Sequence, residues 1–228
     1  MEHIHTEPPT SSVVALAGEW GFGGWLRTYA SRQSWMYKKW RDWRLYLYDG
    51  GVVVTAPSGY EAAFDWGTSR VLQYLRTING SDAHARYTLI DPYGDAVNIG
   101  PGANLLTQKW QERLGINSSL IGPPILGWGE WGEHIQLKIT EAQLADVLGR
   151  IARGETAQFG PINADRHGLL TGEQEADWAE IDRVRLADGT VQVVAHNGEL
   201  LLDGLHEIGF IPNLDLFLHV CEYFTARD

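Results

Sequence analysis

The chemically most distinctive stretch of this 228-residue chain is a run of carboxylates in its last third. Five acids and no base lie within ten residues: Glu173, Glu175, Asp177, Glu180 and Asp182. Acids at this density surround Trp178 with negative charge, which is complementary to a basic protein partner. The same run is also typical of a solvated hairpin face. A partner-binding surface and an ordinary exposed face are therefore both open.

Residue types suited to catalysis are present but lack a recognisable arrangement. His196 and His206 lie near Glu199, Asp203 and Glu207 in the sequence, and general acid–base catalysis uses such pairs. The chain has no G-x-S-x-G elbow, no Walker A loop, no H-E-x-x-H motif and no G-x-G-x-x-G directly behind a predicted strand. We therefore predict a non-enzymatic protein without catalytic residues, cofactor or metal. An enzyme of unrecognised type is the third and least favoured class.

A basic aromatic segment, residues 27–44, offers a second kind of binding surface. It holds six bases and one acid, interleaved with Trp and Tyr. An anionic membrane or another anion would be bound through Arg32, Lys38, Lys39, Arg41 and Trp40. Alternatively, the segment packs as an arm over the first sheet with its charged ends in water.

A glycine-rich loop predicted at 127–132 contains two aromatic side chains, Trp128 and Trp131. They fit two roles equally well. One is an anchor for a protein partner, and the other is a plug for the open end of the first of two predicted modules, residues 43–155.

Charge is distributed unevenly along the chain. The formal net charge is -11, and residues 155–228 hold fourteen acids against four bases. A field this acidic disfavours nucleic acid and anionic lipid as ligands of the C-terminal part and favours a basic partner. The leading hypothesis is therefore a binding or scaffold protein that acts through protein–protein interaction and covers a basic partner, as an immunity protein or inhibitor does. Peripheral membrane binding through residues 27–44 is the alternative, and the oligomeric state stays open.

The elements that must position these residues are mainly short strands. Strands follow from residue 44 to 99 and from 157 to 202, with a hairpin at Asp49–Gly50 because Asp–Gly tolerates positive φ angles. Helices are predicted at 13–20, 104–114, 140–153 and after Asn213, and a short strand at 135–139. Ser12, Thr140 and Asn213 are the predicted N-caps.

Cysteine usage and hydropathy indicate the compartment. The single Cys221 excludes a disulfide framework within the chain, and its place on the apolar stripe of the last helix predicts a buried side chain. No apolar run approaches the roughly 18–20 residues of a spanning helix. We therefore predict a cytoplasmic protein.

The two halves of the chain repeat one order of features. Each has an Asp-containing turn, an apolar strand, an Asp–Trp pair (Asp65–Trp66 and Asp177–Trp178), an Arg–Val pair and a closing helix. Duplication explains this order better than chance. It predicts an N-terminal region at 1–42, a first module at 43–155 and a second at 156–228.

The segments at 156–161, 177–181 and 211–217, together with the hairpin at 45–53, resemble a known pattern. They are similar to actinobacterial proteins of unknown function that carry two tandem bacterial pleckstrin-homology-like (PH-like) modules. The resemblance implies a mainly β (α+β) fold. Each module would be a bent antiparallel sheet, or partly open barrel, capped by a C-terminal helix. It implies no reaction, because this fold hosts mainly binding roles.

Overall fold

The computed structural model describes residues 7–31, 40–78, 81–104, 106–172, 174–202 and 206–226. The chain divides into two compact units. Unit 1 comprises Met1–Arg70 and Leu75–Ile135, and unit 2 comprises Val71–Tyr74 and Gln136–Asp228. The module boundaries predicted after residues 42 and 155 stay predictions.

Unit 1 begins with a helix and a four-stranded antiparallel sheet. Helix α1 covers Ser11–Glu19, and strands β1 to β4 cover Trp25–Ala30, Arg44–Tyr48, Gly51–Ala56 and Tyr60–Asp65, in the order β1-β2-β3-β4. The cap of α1 is Thr10 rather than the predicted Ser12, because the Thr10 hydroxyl accepts the N–H of Val13. Strand β1 overlaps the start of the basic aromatic segment, residues 27–44.

The β2–β3 hairpin forms at the predicted position but for a different reason. Neither Asp49 nor Gly50 adopts a positive φ angle. The turn is held instead by the Asp49 carboxylate, which accepts the N–H of Gly24 at 2.8 Å, and by the Gly50 N–H, which donates to Phe22 O at 2.7 Å. Position 51 must be glycine because a Cβ there would lie 2.4 Å from the Phe22 ring.

A second sheet follows, with strands β5 to β8 at Arg70–Ile78, Ser81–Ile90, Asp95–Ile99 and Ser118–Ile121, in the order β5-β6-β7-β8. Strand β8 pairs with β7 in parallel and was not predicted. Helix α2 covers only Gln108–Arg113 of the predicted 104–114, because Thr107 accepts the N–H of Trp110 and starts the helix there.

The largest departure from the sequence prediction is helix α3, which runs unbroken over Trp128–Ala152. It replaces the predicted loop at 127–132, the strand at 135–139 and the helix start at Thr140. Trp131, Ile135 and Ile139 are fully buried at helical steps of four, whereas Leu137 is 52% exposed. The apolar residues read as strand alternation are therefore helical.

Besides Val71–Tyr74 and the α3 residues from Gln136 on, unit 2 contains two further sheets and a closing helix. Strands β9 to β15 cover Ala157–Phe159, Ile162–Ala164, Gly168–Leu170, Glu175–Asp177, Ile181–Ala187, Thr190–Ala195 and His206–Glu207, and helix α4 covers Leu214–Thr225. The sheets have the orders β12-β11-β10-β9 and β13-β14-β15. The predicted turn at Asp188–Gly189 is confirmed, with φ angles of 52° and 74°.

Helix α4 is a core element, as predicted. Phe217 is fully buried, with its ring centroid 5.2 Å from that of Phe159. Cys221 is 2% exposed, and burial raises the pKa of its thiol. Burying several large side chains at roughly 1.5–3 kcal/mol each makes this helix a main source of stability for unit 2.

Asn213 stands at the predicted N-cap of α4, but its side chain does not cap the helix. It has a left-handed backbone, with φ 52° and ψ 55°. Its side-chain oxygen accepts the N–H of Val71 at 2.7 Å, and its backbone N–H donates to Val71 O at 2.8 Å. Its side-chain amide donates to Gln143 at 3.1 Å. Asn213 therefore forms hydrogen bonds with both the N–H and the C=O of Val71.

Two of the three four-stranded sheets, β1–β4 and β9–β12, each contain the same unusual kind of hydrogen bond. The indole N–H of Trp66 donates to the carbonyl oxygen of Asp49 at 3.0 Å. In the other sheet, the indole N–H of Trp178 donates to the carbonyl oxygen of Asp165 at 2.9 Å. In each case a buried Trp after a strand binds the aspartate of the preceding hairpin turn.

The register around these tryptophans also matches. Gly51 lies opposite Asp65 in the first sheet, and Gly168 lies opposite Asp177 in the second. The carboxylates of Asp65 and Asp177 each accept the backbone N–H two residues further on, at 2.8 and 3.0 Å.

In sum, the described residues form an α+β fold of mostly antiparallel sheets with four α-helices and no closed barrel. None of their helices combines the length and the apolar character needed to cross a membrane.

Candidate functional site

Three of the predicted partner-binding acids line one cleft in unit 2. The cleft has a volume of about 350 Å³, and its polar lining consists of Asp165, His167, Glu175, Asp177 and Glu180. The β10–β11 turn supplies Asp165 and His167. Strand β12 and the 3-10 turn that follows it supply the other three side chains. Strand β11 forms the floor between them. The result is a concave surface with four carboxylates and one imidazole.

The turn side of the cleft is built by Asp165. Its carboxylate accepts the N–H groups of His167 at 2.7 Å and Gly168 at 3.1 Å, which closes the β10–β11 connection. Position 168 must be glycine because a Cβ there would lie 2.0 Å from the carbonyl oxygen of Ala176. The indole N–H of Trp178 donates a hydrogen bond to the Asp165 carbonyl oxygen. The backbone that carries these acids is therefore fixed before any ligand arrives.

The carboxylates of the cleft are not neutralised within the part of the chain that the structure describes. None of the four forms a salt bridge with a described residue. Glu175, Asp177 and Glu180 are exposed. The nearest base in the sequence, Arg166, donates to Nε2 of His167 at 2.9 Å. The cleft thus presents negative charge and hydrogen-bond acceptors to solvent.

The remaining acids of the predicted run do not join the cleft. Asp182 lies on β13, where its carboxylate pairs with Arg183 at 2.5 Å and lies 3.7 Å from Nδ1 of His196. Both partners are exposed, so this histidine–acid pair lies on an open surface. Glu173 falls outside the described residues. Among those described, no group of three or more His, Cys, Asp or Glu side chains is placed to hold a metal ion.

The two tryptophans predicted as partner anchors belong to helix α3 and lie in unit 1. Trp131 is fully buried. Its indole N–H donates to Leu126 O at 3.1 Å, and its ring meets that of Tyr87 edge-on at 4.9 Å. Gly132 makes this contact fit, because a Cβ there would lie 2.2 Å from the Tyr87 ring. Trp131 therefore packs within unit 1 and has no exposed surface for a partner, while Trp128 is half-buried.

The basic aromatic segment is described only in part. Arg32, Lys38 and Lys39 fall outside the described residues. Arg41 is exposed and Trp40 half-buried. Two other bases of the segment pair with acids of unit 1, Arg27 with Glu130 and Arg44 with Glu7.

Sequence reasoning missed two members of the cleft, Asp165 and His167. Their signal was the turn at 165–168, which corresponds to the Asp49 turn in the first half of the chain. The β10–β11 turn lies beside the end of β12, because β11 pairs with both strands. Asp165 in this turn therefore lies on the same surface as Glu175 and Asp177.

Comparison with known proteins adds one relationship. Residues 117–228 match the model of a family of unknown function (DUF6585). The matched stretch covers just under half of the chain and contains the whole acidic cleft. No curated protein and no solved structure matches the chain.

Proposed function

We propose that this protein is a non-enzymatic binding protein whose unit 2 holds a basic segment of a protein partner in the acidic cleft. The observation that carries the proposal is the group of four carboxylates around one concavity without a salt-bridge partner among the described residues. Carboxylates in this arrangement attract a Lys or Arg side chain, and a guanidinium is the better fit because it binds carboxylates in a bidentate way.

The size of the cleft limits what enters it. Its volume of about 350 Å³ is at the small end of ligand pockets, which span roughly 300–1,000 Å³. It takes one or two basic side chains, and the rest of the partner lies on the surrounding surface. Residues 136–228 hold sixteen acids and seven bases, so the surface around the cleft also attracts a basic partner. This supports an inhibitor- or immunity-like role.

The proposal includes the fold family. We infer that the chain contains two tandem PH-like modules. In support, the chain passes twice through a four-stranded antiparallel meander (β1–β4 and β9–β12), a second sheet and a helix (α3 and α4), in the same order. The matched tryptophan hydrogen bonds support this inference as well. A cytoplasmic location is also proposed, supported by the lone, free and buried cysteine.

Binding of a defined basic peptide tests the function. The probe is a fluorescein-labelled 12-residue peptide of alternating Arg and Ser, and its fluorescence anisotropy is titrated at physiological salt. The variant Glu175→Gln/Glu180→Gln removes two cleft charges. The matched control Glu207→Gln/Glu222→Gln removes two exposed charges elsewhere in unit 2.

Each exposed charge contact contributes roughly 0.2–1 kcal/mol. Together the two cleft substitutions should weaken binding about tenfold, which corresponds to about 1.4 kcal/mol. The control should change the affinity less than threefold. Equal losses in both variants would reduce the interaction to net charge and refute a specific cleft. Binding to anionic vesicles instead of the peptide would favour the membrane alternative.

A further inference from the structure

A second concave surface of unit 2 is apolar and lies between helices α3 and α4. This groove has a volume of about 410 Å³. Its floor on α3 includes Leu137, Leu144, Ala145 and Leu148. Leu137 is 52% exposed, and Leu144 and Leu148 are half-buried because their inner sides pack on the core. A row of leucines facing solvent is unusual on a helix that has a buried face of its own.

The row has the dimensions of a helix-binding groove. Leu137, Leu144 and Leu148 lie seven and four residues apart, which keeps them on one face of α3. Eleven residues at 1.5 Å each make the row about 16 Å long, or three helical turns. Amphipathic helices dock into such grooves through apolar side chains spaced over two to three turns.

The rim of the groove selects the charge of the occupant. Its charged lining residues are two acids, Glu141 and Asp215, with His219 on the α4 side. Nδ1 of His219 lies 2.8 Å from Asp215 O. Because a carbonyl oxygen only accepts, Nδ1 carries the proton in this hydrogen bond. The rim therefore offers acceptors and negative charge, although Glu141 also pairs with Lys138 at 2.7 Å.

We propose that the α3–α4 groove binds a basic amphipathic helix of a protein partner, with leucine-like side chains on its inner face and Lys or Arg along its edges. Charge decides among the occupants. A second copy of this chain would bring another net charge of -11 to the same acidic surface. A lipid acyl chain would bring its phosphate headgroup against Glu141 and Asp215. A basic helix alone satisfies both the apolar floor and the acidic rim.

Three 18-residue peptides test this site on the full-length protein. One is an amphipathic Leu/Lys helix, the second has the same composition with its leucines redistributed around the helix, and the third is an amphipathic Leu/Glu helix. Affinities are measured by fluorescence anisotropy. The amphipathic Leu/Lys peptide should bind at least tenfold more tightly than either of the others.

Substitutions then locate the binding. Leu137→Gln should weaken the Leu/Lys peptide about tenfold. The matched control Leu186→Gln, which changes a 45% exposed leucine of β13, should leave binding within twofold. In a Glu175→Gln/Glu180→Gln background, Leu137→Gln should still weaken the Leu/Lys peptide about tenfold, which separates this site from the acidic cleft. Circular dichroism confirms that each variant is folded.

Four results would overturn the proposal. If the redistributed Leu/Lys peptide binds as tightly as the amphipathic one, charge alone accounts for the binding. Equal effects of Leu137→Gln and Leu186→Gln on peptide affinity would show that the peptide does not bind at the groove. A dimer in sedimentation that Leu137→Gln dissociates would assign the groove to a second copy. Vesicle binding that Leu137→Gln abolishes would assign it to lipid.

Discussion

Replacing Arg86 with Met should destabilise unit 1 more than any exposed substitution. Arg86 is 7% exposed and makes five hydrogen bonds but no salt bridge with a described residue. Its guanidinium donates to the side-chain oxygen and the carbonyl of Asn98 and to the carbonyls of Gly100, Gly102 and Gly122. Burial lowers the pKa of Arg86 to about 10. Among the described residues, this buried cation is held by neutral acceptors.

The expected cost follows from what the substitution leaves behind. Met fills similar space but donates no hydrogen bond, so several carbonyls become unpaired. Hydrogen bonds to a charged donor contribute roughly 1.5–3 kcal/mol each. The gain from no longer burying a charge offsets part of that loss. Removing one side of a buried charged network typically costs about 3–5 kcal/mol, and we expect a loss in that range for Arg86→Met.

Urea unfolding followed by circular dichroism measures this change. The matched control is Arg41→Met, which makes the same replacement at an exposed position of unit 1 and should cost less than about 0.5 kcal/mol. A loss below about 1 kcal/mol for Arg86→Met would show that water or backbone movement replaces the guanidinium. That result would refute the view that Arg86 fixes the loops around Gly100 and Gly122.

Three further predictions concern single side chains. Thr140→Val should raise the free energy of unfolding by about 1 kcal/mol in urea titration, because it removes a buried hydroxyl that has no hydrogen-bond partner among the described residues. A loss of stability would show that this hydroxyl is bonded. Since burial raises the pKa of the Cys221 thiol in the fold, its stabilising effect is present below the unfolded pKa and is lost as pH rises. Wild type should therefore lose about 1 kcal/mol more than Cys221→Val between pH 9 and 10, and parallel losses would contradict the assignment. Trp66→Phe and Trp178→Phe each delete one of the two matched indole hydrogen bonds. Thermal unfolding should therefore show similar losses of stability, roughly 0.5–1.5 kcal/mol for each variant. A large difference between the two losses would argue against equivalent roles.

The strands and the closing helix were predictable because their patterns are local. Alternation around the Asp188–Gly189 turn determined β13 and β14, and the apolar stripe that includes Phe217 and Cys221 determined α4. Helix α3 was not predictable in the same way. Gly132 looked like a loop residue, but its missing side chain gives space to Tyr87 across unit 1. That requirement depends on a residue far away in the sequence, which no local pattern contains.

The site was predictable in part for the same reason. Glu175 and Glu180 belong to one acidic run, so their common surface followed from the sequence. Asp165 joined them only through the pairing of β10 with β11 and of β11 with β12. Asp182 lies apart from the cleft, because the 3-10 turn at Trp178–Glu180 separates it from β12 and places it on another sheet.

Peptide mapping by NMR tests most directly whether the acidic cleft binds basic protein segments. The backbone amide spectrum of ¹⁵N-labelled protein is recorded while the Arg/Ser peptide is added. The largest shifts should fall on residues 165–170 and 175–180. At the same peptide concentration they should be much smaller in Glu175→Gln/Glu180→Gln and unchanged in Glu207→Gln/Glu222→Gln. Shifts centred elsewhere, or spread evenly over the acidic surface of unit 2, would contradict a binding site at this cleft.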